Sequence, residues 1–420
     1  MSAVTSADLR PAAGDPRKLV LLLLLVASAG YVARTAITVV APGIMADFGL
    51  TQVQMGQVFS AFLIGYTALQ MPSGWLADRI SPRHLFLAQC AGWTLLTVAT
   101  AAVGWHGLGL AAPLALLMGV RALFGVVAAP TYPASARTVA VAVAPAAQAR
   151  ANGTVLASIG VGSAVTPLLL GPIVEHQGWR AALLAAAALS ALAGLVWWRF
   201  APQVHNGGTE TPGTAAPASA QSARQKSPLR LPSFWFLSVS YFLQGYVGYI
   251  FVFWFYLYLV QVRHFAVLEA ASLTALPWLA TLFGIPLGGV VSDLAVRRWG
   301  ATWGRRSLPL VALCAAAVFL VAGARTASAG FAVASLTVCT VLVLSTEGPF
   351  WATLNQVAGA RSGAAGGVMN FGSNLGGMIS PALTPWLAER MGWGGALSLA
   401  AALSAVAGVL WLGVRLKREH

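Results

Sequence analysis

Gly74-Trp75-Leu76-Ala77-Asp78 closes one long apolar run, and Gly289-Val290-Val291-Ser292-Asp293 closes another later in the chain. A Gly-x-x-x-Asp ending that returns at the same place relative to an apolar run marks an internal repeat. Working outward, Pro167, Glu175, Gly178 and Trp179 return with identical spacing as Pro381, Glu389, Gly392 and Trp393. Ala128-Ala129-Pro130 likewise answers to Glu347-Gly348-Pro349, and the offset is nearly constant throughout.

The runs themselves decide the solvent. Of 420 residues, 58% are hydrophobic and only 9% charged, and the mean hydropathy is +0.76. Soluble domains carry roughly a quarter charged residues, so the chain belongs in a lipid bilayer. A spanning helix needs about 20 apolar residues. The sequence predicts twelve such spans, at 19–43, 52–77, 83–104, 110–133, 150–174, 180–200, 233–260, 267–292, 307–326, 329–354, 362–388 and 393–416. Continuous runs of this length exclude a transmembrane β-barrel, whose strands are short and alternating. The expected architecture is all-α, with twelve transmembrane helices in two pseudo-symmetric six-helix halves.

Residues 201–232 interrupt the pattern. They are rich in Gly, Pro, Ser, Ala and Thr, and read as a flexible linker between an N-terminal half, 1–200, and a C-terminal half, 233–420. The net charge of +14 does not signal nucleic acid, because its distribution follows topology. With the N-terminus in the cytoplasm, 19 of the 25 basic residues fall on the cytoplasmic side and four on the other. Arg34 and Arg121 lie inside spans. This bias places both termini in the cytoplasm, in a multi-pass protein of the plasma (inner) membrane. Cys90, Cys314 and Cys339 all fall in spans and imply no disulfide framework. No metal-ligand cluster, nucleophile elbow or phosphate loop points to an enzyme. Parallel six-span repeats with a substrate held where they meet describe a large class of secondary transporter.

Gly74-Trp-Leu-Ala-Asp78-Arg79-Ile-Ser-Pro-Arg83 resembles the signature loop between spans two and three of the major facilitator superfamily, and Arg121-Ala-Leu-Phe-Gly125 resembles its fourth-span motif. Within the superfamily the chain is similar to the anion:cation symporter family, which includes sugar-acid permeases and the sialic-acid and vesicular glutamate carriers. The pieces are Arg34, Ser60 through Tyr66 to Gln70-Met-Pro72, Pro130-Thr-Tyr-Pro133, Phe253-Trp254 with Tyr258, Gly348-Pro-Phe-Trp351, and Asn370-Phe-Gly-Ser-Asn374-Leu-Gly-Gly377. The resemblance implies the major facilitator fold, a small organic anion as substrate, protons as coupling ion and no cofactor; the self-contained two-half design makes a monomer in the lipid bilayer the expectation. The resemblance also implies gating by Gly74, Asp78, Arg79, Arg83 and Asp293, with the two aspartates pairing with nearby arginines and helix N-termini and Gly74 permitting close helix approach, none of them touching substrate.

The charges inside spans carry the chemistry. A charged group in hydrocarbon costs several kcal/mol unless it is paired or faces water. Arg34, about midway through span one, presents a fork that suits a carboxylate and does not deprotonate. The resemblance makes it the substrate anchor, with Tyr66 donating to the same anion. Asn374, Asn370 and Gln244 are span amides available to substrate hydroxyls, although polar side chains also hold membrane helices together. The resemblance links Arg121 to proton coupling; a charge reaching toward a helix end is the alternative.

Glu347 is an acidic residue in mid-span. The family's usual proton sites, a span-four glutamate and an aspartate before the span-one arginine, are replaced here by Ala128 and Ala33. Glu347 stands two residues before Pro349, as the family glutamate stands before its proline. The expectation is that the titrating carboxylate has moved to the other half, paired with an arginine that substrate draws away. The reading is proton-coupled uptake of a small organic anion, a monocarboxylate or sugar acid. Proton-driven efflux of apolar or cationic compounds, and a non-transporting receptor on the same fold, are the alternatives.

Overall fold

The computed structural model describes residues 15–104, 111–202, 228–359 and 362–416, which are helical almost throughout. Most of the expected linker lies outside the described residues, as do Arg10, Arg224, Lys226, Arg361, Lys417 and Arg418 of the charge distribution.

Helix α1 (Pro16–Phe48) starts with Asp15 accepting from the Arg17 amide at 2.9 Å and ends at Gly49, φ 61°. Pro16 fits the first turn because its missing N–H has no helical partner there. Helix α2 (Gln52–Arg79) opens on a reciprocal cap between Thr51 and Gln54. Then come α3 (Pro82–Ala102), α4 (Ala111–Ala128), α5 (Thr131–Ala142), α6 (Pro145–Leu156) and α7 (Ser158–Phe200). After Pro228 the chain forms α8 (Pro232–Phe253), α9 (Val267–Arg325), α10 (Ala329–Ser345), α11 (Glu347–Ala358) and α12 (Ser362–Leu410), with a short irregular helical stretch between Phe255 and Val262.

Among the described residues, eight helical stretches are long and apolar enough to cross a membrane. The chain is therefore a multi-pass membrane protein. Its periphery agrees: Phe283 is 78% exposed, and Leu95, Leu123, Val311 and Val318 also face outward. Such side chains are at home against lipid.

Several expected span boundaries are not loops. Spans five and six, eight and nine, and eleven and twelve run on as α7, α9 and α12, each interrupted by a single glycine of non-helical backbone. These are Gly178 (φ 84°, ψ 173°), Gly300 (φ 78°, ψ 167°) and Gly392 (φ 73°, ψ 162°). This region of backbone space is essentially closed to residues with a Cβ. One residue thus does the work of a loop, which hydropathy alone does not reveal.

The repeat is visible in local geometry. Gly178 and Gly392, matched in sequence, adopt the same rare conformation. His264, the sole non-glycine residue with positive φ among those described, is at 59° and stands at the same offset from Gly49 as Asp293 does from Asp78. The α4/α5 break at Pro130 and the α10/α11 break at Thr346 also correspond. In each, a proline near the break withholds an amide from the helical ladder.

Helices from early and late in the chain meet tightly near the Phe48 end of α1. The Gln52 amide donates to Gln261 at 2.8 Å, and Ser60 Oγ donates to the Met378 carbonyl at 2.7 Å. Phe59 stacks on Phe253 with ring centroids 5.0 Å apart. Gly56 lies so close to the Pro381 carbonyl that any side chain would collide with it. The opposite end is looser. There a cavity of about 370 Å³ opens between α2, α11 and α12, lined by Thr67, Gln70, Trp351, Asn355, Gly366 and Asn370 among others.

Candidate functional site

Arg34 is 8% exposed and sits in a cage of rings. Its guanidinium carbon lies 5.0 Å from the Tyr31 centroid, 4.6 Å from Phe62, 5.6 Å from Tyr66 and 6.0 Å from Tyr249. Tyr31 lies three residues earlier, so α1 itself supplies one wall. The cage offsets part of the desolvation cost, since a desolvated cation–π contact is worth up to about 2 kcal/mol. Hydrogen bonding does little more: Nη2 donates to the Tyr249 hydroxyl at 3.4 Å, and Nε has no partner.

Arg121 is brought beside it. Its Nη2 donates to the backbone carbonyl of Arg34 at 2.8 Å, and its guanidinium carbon lies 4.7 Å from the Phe124 centroid and 5.4 Å from Phe62. The residue is 2% exposed, and its Nε is likewise unpartnered. Neither arginine forms an ion pair among the described residues. Two buried cations without a counter-anion are an electrostatic deficit that a bound anion would relieve.

From Arg34 a polar chain leads to the cavity. The Tyr249 hydroxyl, which accepts from Arg34, donates to Asn374 Oδ1 at 3.3 Å. Asn374 Nδ2 donates to Gln70 Oε1 at 3.0 Å and to the Asn370 carbonyl at 3.1 Å. Gln70 and Asn370 line the cavity, and the hydroxyl of Thr67 there is unpartnered. The chain joins helices α8, α12 and α2 in one wall between the cavity and the arginine. Tyr66 meets Arg34 through its ring; among the described residues no hydrogen bond joins its hydroxyl to the guanidinium.

Glu347 occupies a separate pocket at the first turn of α11, where the helix N-terminus favours negative charge. Its two oxygens are held apart: Oε1 accepts from Gln244 Nε2 and Oε2 from the Tyr241 hydroxyl, both at 2.8 Å. Two expectations change here. Glu347 pairs with no arginine among the described residues; the donors it meets are neutral, Gln244 and Tyr241 from α8 with Trp351 of its own helix nearby. Gln244, expected to reach substrate hydroxyls, has its amide committed to Glu347.

The residues expected to gate lie toward the Arg79 end of α2. Asp293, 61% exposed, accepts from Arg305 at 2.7 Å. Arg83 donates to the Trp198 carbonyl at 2.7 Å and to that of Ala201 at 3.4 Å. Gly74 and Arg79 lie in the last turns of α2; the Asp78 side chain is outside the described residues. Neither Asp293 nor Arg83 contacts the arginine cage through the hydrogen bonds described.

Sequence reading missed Tyr31 and Tyr241, and met Phe62 and Gln70 only as parts of a motif. The signal for the Glu347 pocket was available, since Tyr241 and Gln244 are one helical turn apart and so share a face. Nothing in the chain announces that this face meets Glu347.

A sequence model of the Major Facilitator Superfamily matches residues 23–371. The chain is 30% identical over 372 residues to the probable sulfoacetate transporter SauU of Cupriavidus necator, covering 86% of this chain and 85% of that protein. It is 27% identical to the hexuronate transporter of Bacillus subtilis, over 94% of this chain and 93% of the other. The D-galactonate transporter of Escherichia coli is 28% identical, with 91% and 92% covered.

Among solved structures, an inward-facing, occupied bacterial homologue of the human lysosomal transporter Spinster superposes with a TM-score of 0.79 at 19% identity, covering 95% of this chain and 97% of that one. The inward-open xylose transporter XylE of Escherichia coli gives 0.75 at 14% identity, with 96% and 97% covered. Fold, sequence model and relatives agree, and the chain is a member of the Major Facilitator Superfamily, a family of transporters rather than enzymes, with relatives of the anion:cation symporter type.

Proposed function

We propose that this protein takes up a small organic anion, a sugar acid or a short sulfonated carboxylate, together with protons. The observation that carries the reading is Arg34: a buried guanidinium in an aromatic cage, with no acidic partner and an unpartnered Nε. Relatives named for sulfoacetate, hexuronate and galactonate support an anion as cargo.

In this reading the chain has twelve spans. Eight apolar stretches become eleven when those broken at Gly178, Gly300 and Gly392 are divided, and α2 supplies the twelfth. The spans form two halves, 1–200 and 233–420, joined by a cytoplasmic linker at 201–232, with both termini in the cytoplasm of a monomer in the plasma membrane. The closed Phe48 end is then extracellular, the cavity opens inward, and the halves rock about the Arg34 site. Arg34 holds the anionic head, Tyr66 and Asn374 shape the site, and Asn370 lines the way in. Glu347 takes the proton that accompanies the anion, in a pocket away from the cage. Asp78, Arg79, Arg83 and Asp293 with Gly74 govern closure of the inner end.

The test is a thermal-shift screen of purified protein against galactonate, glucuronate and sulfoacetate, followed by uptake into proteoliposomes with and without an inward proton gradient. A bound ligand raises apparent stability by mass action. We expect at least one of these anions to stabilise the wild type, to lose that effect in Arg34→Ala, and to accumulate with the proton gradient. Stabilisation by lipophilic cations alone would sink the proposal.

A further inference from the structure

The Arg34 site holds two cations where one would suffice for a monocarboxylate. Arg121 is more fully buried than Arg34 and, among the described residues, makes one hydrogen bond, to the Arg34 carbonyl, with Nε unpartnered. Both guanidiniums lie over the same ring, Phe62, at 4.6 Å and 5.4 Å from its centroid. The nearest side chains along the helices offer no negative charge, since Ala33 precedes Arg34 and Ala128 lies two turns beyond Arg121. Glu347 already has its own donors in Tyr241 and Gln244.

Like charges in a low-dielectric interior repel strongly, and neither can shed its proton. A single carboxylate would leave one of them uncompensated. From this pair we infer that the substrate carries two anionic ends, one on Arg34 and the other on Arg121, which makes Arg121 a substrate-binding and specificity-determining residue. The inference rests on the organic-anion reading and narrows it to dianions: dicarboxylates or sulfonated carboxylates short enough for both ends to lie beside Phe62.

A purely structural Arg121, tying α4 to the α1 backbone, makes a different prediction, so the two can be separated. Binding is titrated by thermal shift for two matched pairs: sulfoacetate against methylsulfonylacetate, and glucarate against gluconate. Members of each pair are similar in size and differ by one negative charge. In wild type the dianion of at least one pair binds about tenfold tighter or more, as expected when a buried charge gains its partner. Arg121→Gln abolishes that preference while retaining binding of the monoanion, Arg121→Lys restores part of it, and Arg34→Gln loses both members.

The inference is overturned if wild type binds both members of each pair equally, or if Arg121→Gln weakens both by the same factor. The wild-type comparison needs no variant, so a misfolded Arg121→Gln does not blunt the test. Equal binding of monoanion and dianion would remove this inference and leave the organic-anion reading intact. Failure of all four while galactonate or glucuronate binds would remove this inference alone, and failure of all six would remove both.

Discussion

A guanidinium, a hydroxyl and a carboxylate decide most of the chemistry at the scale of single residues. Each oxygen of Glu347 accepts one hydrogen bond from a neutral donor, and a carboxylate has about four lone-pair sites, so it can take up a proton without giving up either contact. The Tyr241 hydroxyl can turn from donor to acceptor, whereas the Gln244 amide nitrogen only donates. Glu347→Gln is therefore expected to abolish the pH dependence of uptake while leaving anion binding within about threefold of wild type, as suits a change distant from the anion's own contacts. Uptake measured across external pH checks this; an unchanged profile would exclude Glu347 as the proton site. Arg34→Lys keeps the charge and loses the fork, and is expected to weaken anion binding by about tenfold or more, read from thermal-shift titration. The sequence made Arg34, Arg121 and Glu347 conspicuous because charge in hydrocarbon is rare. It did not disclose their partners, because a buried Tyr or Gln carries no such mark until the helices that bring it close are known.

At the scale of elements, three glycines replace three loops. Gly392→Ala places a Cβ at φ 73° and is expected to cost about 1–3 kcal/mol, seen as a lower apparent melting temperature. Gly394→Ala, two residues on, is the control: a Cβ there meets nothing within 4 Å, and its melting temperature should match wild type. Equal effects would mean that the kink at Gly392 is not needed. Span positions were legible from hydropathy, and the repeat singled out Gly178 and Gly392. The continuity of α7, α9 and α12 across those points was not legible, since one residue in an unusual conformation leaves no trace in an average over twenty.

The whole molecule is closed at one end by contacts between distant parts of the chain and open at the other. Gln52 and Gln261 meet across the closed end through the tips of their side chains, so Gln52→Cys with Gln261→Cys is expected to be joined by a short bis-methanethiosulfonate reagent that spans the gap, to lose uptake, and to recover it on reduction. Activity that survives cross-linking would show that this end need not open. The native thiols complicate little, because Cys90 and Cys339 are buried and Cys314 is partly so. The tight glycine turns carry one more consequence. At the Phe48 end the chain reverses at Gly178 and Gly392 within a residue or two, and between Phe48 and Gln52 and between Arg325 and Ala329 within three. A protease or an antibody approaching these four turns would find little chain to grip, so they should remain uncut in sealed vesicles that present this face outward.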